Sequence, residues 1–188
     1  MKKVIAIGGV PATGKTTLMR RVIDEFGPLS ALEEKVDGVK LPMLVDQERK
    51  LHILGVYNPE EMFAGTDRLS MSIQPTAVKF VESTEGVVLF EGDRLFNISF
   101  LETCEKLADL SIICLDVDPE MVEQRHTDRA DSQSEKFKKG RQTKVDNVKA
   151  RFGGGLFDDG CVESMLNNTI EQQDKVVARL KDLVYGNR

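Results

Sequence analysis

A chain of 188 residues, 40% hydrophobic and 30% charged, is long enough to bury a core of its own and too evenly mixed to be a disordered or fibrous polymer. Its net charge of -5 argues against a surface that coats nucleic acid everywhere, and cysteines at 104, 114 and 161 match neither a disulfide framework nor a zinc site. No window approaches the roughly 18 apolar residues of a membrane span, and Val4 to Ile7 is too short for a signal-peptide core, so no membrane partner and a cytoplasmic address are expected.

In chain order, the apolar run Val4 to Ile7 predicts a strand, followed by a glycine-rich turn and a helix from Thr16 to Phe26 that stops at Gly27-Pro28. Leu41 to Val45 and His52 to Tyr57 are both apolar, and one of them is expected to be the second sheet strand; the pattern leaves open which. A helix over Ile73 to Ser83, a strand over Val87 to Phe90, a helix over Ile98 to Leu107 and a strand over Leu110 to Leu115 come next. Pro119 to Arg129 is helical after Asp118 as N-cap, and Thr143 to Phe152 forms one more helix. Val162 to Leu166 is a short last strand before a closing amphipathic helix capped by Asn168 or Thr169. The alternation predicts a single α/β domain over 1–188, with a mainly parallel five-stranded sheet and helices on both faces.

"GVPATGKT", Gly9 to Thr16, fits G-x-x-x-x-G-K-[ST] in full between a strand and a helix. The pattern has a physical content. Glycines let the backbone curl so that successive N–H groups of Gly9, Ala12, Thr13 and Gly14 and of the following Lys15, Thr16 and Thr17 region surround phosphates, Pro11 completing the loop, and the helix dipole adds to the attraction. Proline itself contributes no N–H. Lys15 then reaches the β and γ phosphates of ATP, and the Thr16 hydroxyl ligates Mg²⁺. The expected fold is therefore the three-layer sandwich of P-loop NTPases.

Phosphoryl transfer spreads negative charge over the γ oxygens, so cations and a strand-end acid are needed around the loop. Glu91, closing an apolar run, is the candidate to meet Mg²⁺ through water. Arg125 and Arg129, at i and i+4, share a helix face and can converge on one anion, with Arg141 as a third cation and His126 lining the same segment. Between Lys136 and Arg151 seven basic residues stand against Asp146 alone, on a chain that is acidic overall. The stretch from Arg129 to Lys144 reads either as a solvated loop or as a mobile basic lid within about 125–151, and "FGGGLFDDG", Phe152 to Gly160, also reads as mobile. An alcohol acceptor needs a carboxylate to take its proton; a phosphate acceptor does not. Asp46 and Asp93 compete for that role, Asp46 because it follows the apolar "PMLV". "GTDR" offers Asp67 and Arg68 as an acceptor clamp, or simply an N-cap at Thr66 or Asp67. No Asn-Lys-x-Asp sequence is present to read guanine.

Taken together, "GGVPATGKTT", "VVLFEGDR" and "LDVDPEMVEQRHTDR" resemble the nucleoside monophosphate kinase-like group of P-loop kinases. That resemblance implies an ATP- and Mg²⁺-dependent kinase, with Glu91-Gly92 and Arg94 in the acid-glycine-arginine position and Arg125 and Arg129 at a lid entrance. Glu91 replaces the usual aspartate, and Asp93 beside Arg94 is a departure that bears on the acceptor site. "GTDRLSM" and "RHTDRADSQSEKFKKGRQTKVDN" also look like bacteriophage kinases of 5-hydroxymethylpyrimidines in DNA. On that likeness the favoured acceptor is the hydroxymethyl group of 5-hydroxymethyluracil in DNA held by the 136–151 segment, with a free nucleoside or nucleoside monophosphate as the alternative and a non-catalytic ATP-binding regulator as a third reading.

Overall fold

The computed structural model describes residues 2–58, 61, 64–128, 134–154 and 160–186. Among them, seven strands form one sheet: β1 (Lys3–Gly8), β2 (Ser30–Val36), β3 (Val39–Asp46), β4 (Leu51–Leu54), β5 (Val87–Glu91), β6 (Asp109–Asp116) and β7 (Val162–Leu166). Their order is β2-β3-β4-β5-β1-β6-β7. The five strands from β4 to β7 are parallel, and β2 and β3 add an antiparallel hairpin to the β4 edge. The five-stranded expectation is therefore corrected to seven. Both apolar stretches after Gly38 are strands, and β2 was invisible because its residues SALEEKV are mostly exposed and carry no apolar run. What makes the hairpin is Asp37-Gly38, both at positive φ (50° and 79°), the backbone of a tight strand-matching turn.

Alternating residues of β1 supply two cores. Ile5 and Ile7 pack with Leu18, Met19 and Val22 of α1 (Lys15–Phe26) and Val176, Val177 and Leu180 of α6 (Ile170–Tyr185). Val4 and Ala6 face the other layer: α2 (Gln74–Ser83) through Ala77 and Phe80, α3 (Ile98–Leu107) through Phe100 and Leu101, and α5 (Glu135–Phe152) through Val145, Val148 and Phe152. α4 (Pro119–Asp128) follows β6. The result is the expected three-layer sandwich.

The second correction concerns the polar stretch before Lys144. From Glu135 onward it is helix α5, 18 residues long, with the Ser134 side chain accepting the Phe137 N–H as cap. Its apolar anchors begin only at Val145, so the first turns carry no amphipathic signal. Residues 129–133 and 155–159, which belong to the two segments read as mobile, lie outside the described residues, as does Arg129.

Packing at the end of β1 is tight enough to test. A Cβ on Gly8 would stand 1.9 Å from the ring Cζ of buried Phe96. Gly8→Ala is expected to destabilise the fold by about 1–3 kcal/mol in urea unfolding, because a ring packed within the core must shift to admit the methyl group.

Candidate active site

The site lies at the carboxyl ends of β1 and β5, where open α/β sheets leave a crevice. After Gly8 the chain turns through Ala12 at φ 65° and Gly14 at φ 86°, and Gly14 caps α1 in the left-handed conformation. Ala12 is a non-glycine residue held in that region, a local strain of the kind concentrated at functional loops. Pro11 lies in the same loop, and Thr13 is fully buried, its hydroxyl donating to the Val10 carbonyl at 2.9 Å. The Lys15 ammonium donates to the carbonyls of Gly9 and Val10 at 2.8 and 2.9 Å, so it lies across the loop. Thr17 is exposed on the first turn of α1.

Thr16 directs its hydroxyl at Oε1 of Glu91, 3.3 Å away. Glu91 is only 1% exposed, and its pKa is pushed up to about 7, first by burial and then by the carboxylates of Asp67 and Asp93; Lys15 and the Thr16 hydroxyl oppose the rise. A buried carboxylate with two acidic neighbours is chemically suited to a cation. Among the described residues no cluster of three or more acidic, histidine or cysteine side chains could hold a metal alone. A divalent ion held by Thr16 and Glu91 would therefore take its remaining ligands from phosphate oxygens and water.

The stretch 64–69 forms the wall beside Glu91. Thr66 to Arg68 make a single 3₁₀ turn, and Thr66 donates its hydroxyl to the Glu91 carbonyl at 2.8 Å. Asp67 accepts the Asp93 N–H at 2.6 Å. Neither Thr66 nor Asp67 caps α2, whose N-cap is Ile73. Arg68 turns away to Glu61, 2.9 Å distant, so Asp67 and Arg68 do not form one clamp. Arg94 directs Nε at the Leu69 carbonyl at 3.4 Å.

Asp93 is gripped from α5. Its carboxylate is 3.0 Å from Arg141 and 3.6 Å from Lys144, and the Lys144 ammonium also donates to the Asp93 carbonyl at 2.8 Å. Burial holds the Lys144 pKa below its ordinary value, with Asp93 working against that fall. Arg141 thus stands on the Asp93 side, whereas Arg125 reaches the loop itself. Its guanidinium donates to the carbonyls of Ala12 (3.2 Å) and Asn167 (2.9 Å), so it braces the loop against the stretch before α6.

Asp46 is not at the site. β3 runs against its parallel neighbours, and Asp46 pairs with Leu51, which lies level with Val87 at the opposite end of β5 from Glu91. The separation along the strands is about 13 Å. There Asp46 accepts the Arg49 N–H at 3.0 Å and pairs with the Arg49 side chain, a turn-making role. Expecting a parallel second strand put this residue at the wrong edge of the sheet.

Asn167 had no sequence signal, yet it ties the two ends of the chain together. It is 3% exposed and donates Nδ2 to the Thr13 carbonyl at 2.7 Å. Asn167→Ala leaves that carbonyl buried without a partner, a cost of about 1–3 kcal/mol. Loosening of the loop should appear as a raised KM for ATP with a smaller change in kcat.

Among the described residues no helix is long and apolar enough to cross a membrane. No curated protein matches the chain. The fold is similar to a gluconokinase from Sinorhizobium meliloti, at 13% identity over 97% of this chain and 95% of that one, with a TM-score of 0.49. It is similar to a sugar kinase from Janibacter sp. (12% identity, 99% and 97% covered, TM-score 0.48) and to a shikimate kinase from Bacteroides thetaiotaomicron (14%, 96% and 97%, 0.45). At the level of the sequence the match is with a family model, P-loop Nucleotide Kinase3, over residues 1–182, and the chain belongs to that family.

Proposed function

We propose that the chain transfers the γ-phosphoryl group of ATP to an alcohol on a nucleoside-type acceptor. The observation that carries this reading is the meeting of the Thr16 hydroxyl with the buried Glu91 carboxylate at the Lys15 loop, with Asp67 and Asp93 alongside. Loop amides and Lys15 hold the triphosphate, and Thr16 and Glu91 would hold Mg²⁺, which when bound neutralises charge on the phosphates. Asp93 receives the proton of the acceptor alcohol, its orientation set by Arg141 and Lys144. A phosphate acceptor needs no base and would meet three carboxylates, so an alcohol fits better.

The hydroxymethyl group of 5-hydroxymethyluracil in DNA is one such alcohol, and exposed Lys136 and Lys139 support it by offering charge to a phosphate backbone. A free nucleoside is favoured by a different observation. Among the described residues Arg141 and Lys144 are paired with Asp93, Lys149 with Asp116, and Arg151 with Glu102 and Glu105, so at least four of the seven cations in 136–151 are already engaged.

Incubation with γ-labelled ATP and Mg²⁺, offering hydroxymethyluracil DNA, the free nucleoside and nucleoside monophosphates in parallel, tests the reading: label on none of the alcohols would defeat it. Asp46→Asn is expected to leave turnover unchanged. Asp93→Asn lowers kcat about 100-fold while sparing the affinity for ATP.

A further inference from the structure

We infer that the face of α5 carrying Phe137, Gly140 and Arg141 is the seat of the acceptor's planar ring, with Phe137 as the stacking surface. The inference rests on the alcohol-kinase reading above and names the acceptor subsite of that reaction. A groove of about 480 Å³ is lined, among the described residues, by Ser134, Lys136, Phe137, Gly140 and Arg141. Its volume lies within the range of about 300–1,000 Å³ typical of small-molecule pockets.

Phe137 is 39% exposed in a segment that is otherwise polar, and burial alone does not explain it. The Arg141 guanidinium lies 4.6 Å from the ring centroid, and the same guanidinium stands 3.0 Å from Asp93. Ring, guanidinium and carboxylate therefore form one continuous line leading to the reacting end. A flat acceptor stacked in the groove has π-face contact with Phe137 and Arg141, while an alcohol on its rim is directed toward Asp93. Lys136, exposed at the groove, offers a cation to an anionic substituent.

Gly140 is the independent observation. Glycine inside a helix is costly relative to alanine, and here a Cβ would meet nothing within 4 Å among the described residues, so none of these neighbours demands its absence. A missing side chain facing open space keeps the floor of the groove low, which is what close approach of a flat ring requires.

The chemistry the groove fits is a planar ring bearing an alcohol, and on the alcohol-kinase reading above that ring is a nucleoside base, whether free or displaced from a DNA strand. The chain contains no tryptophan, so Phe137→Trp places a single indole in the groove. Its fluorescence is titrated with free 5-hydroxymethyl-2′-deoxyuridine, with a single-stranded oligonucleotide carrying that base, and with glycerol as a non-planar alcohol. Saturable quenching by a ring-bearing ligand and none by glycerol is the expected result, and the ligand that saturates at the lower concentration identifies the source. In Phe137→Ala the KM for the acceptor should rise about tenfold with the KM for ATP unchanged. Gly140→Ala should raise the thermal midpoint and the acceptor KM together. Quenching without any phosphoryl transfer would retain the groove and sink the kinase reading. Transfer with no quenching and an unaltered acceptor KM in Phe137→Ala would overturn the groove and leave the kinase standing.

Discussion

Lys15→Ala is expected to lower kcat by about 10³-fold, a loss of roughly 4 kcal/mol of transition-state stabilisation. The ammonium lies across the loop on the carbonyls of Gly9 and Val10, at the point where the amino end of α1 and the Thr16–Glu91 pair face each other. On the proposed function, charge that builds on the transferring oxygens would meet that cation, and alanine supplies none. Little of the effect should come from unfolding, since Lys15 is the first residue of α1 and alanine is the better helix former. Lys15→Arg should not rescue the rate, because a planar fork cannot replace a compact point charge in so small a loop. A thermal melt and circular dichroism spectrum matching the parent, together with single-turnover rates, would check this; a variant within tenfold of the parent rate would remove Lys15 from the mechanism.

Local pattern was enough where the cause of structure is local. The bounds of α3 coincide with the sequence reading because Asn97 caps it with its own side chain; those of β7, VESML, coincide as well, its strand made by parallel pairing with β6. Thr169 rather than Asn168 caps α6, through a reciprocal box with Gln172 that the letters T-x-x-Q carry. The loop motif sits between strand and helix as expected, for the same reason.

What escaped was set at a distance. β2 is a strand only because β3 is there to pair with it, and the antiparallel turn of β3 is what carried Asp46 to the wrong end of the sheet. α5 begins nearly three turns before its first buried residue, held there by Arg141 and Lys144 reaching Asp93. Asn167 touches a residue 154 positions earlier, and no spacing rule announces a hydrogen bond of that kind. Arg125, expected over the phosphates on the strength of its helix face, donates to the backbone carbonyls of Ala12 and Asn167, contacts that no spacing in the sequence announces.

Glu91→Gln should separate stability from activity in opposite directions. Folding moves the carboxyl from an ordinary value of 4.5 to about 7, chiefly because burial disfavours the charged form. A group whose folded pKa is raised contributes nothing unfavourable below the unfolded value, where it is protonated in both states. As pH climbs from 4.5 through 7 the unfolded chain releases its proton more readily, and the folded state loses stability, by about 3 kcal/mol above that window. Glutamine keeps the shape and escapes the ionisation. In chelator and without nucleotide, the variant should therefore match the parent near pH 4.5 and exceed it progressively toward pH 8 in urea unfolding. Turnover should move the other way, by about 10³-fold, since a neutral amide cannot hold the cation that offsets phosphate charge. A stability difference between the variant and the parent that stays constant from pH 5 to 8 would mean that Glu91 is ionised at little cost in the fold, and its burial beside Asp67 and Asp93 would then need another explanation. On the proposed function the expected divergence has a plain cause: a carboxylate that costs the fold stability would be kept for the ion that arrives with the triphosphate.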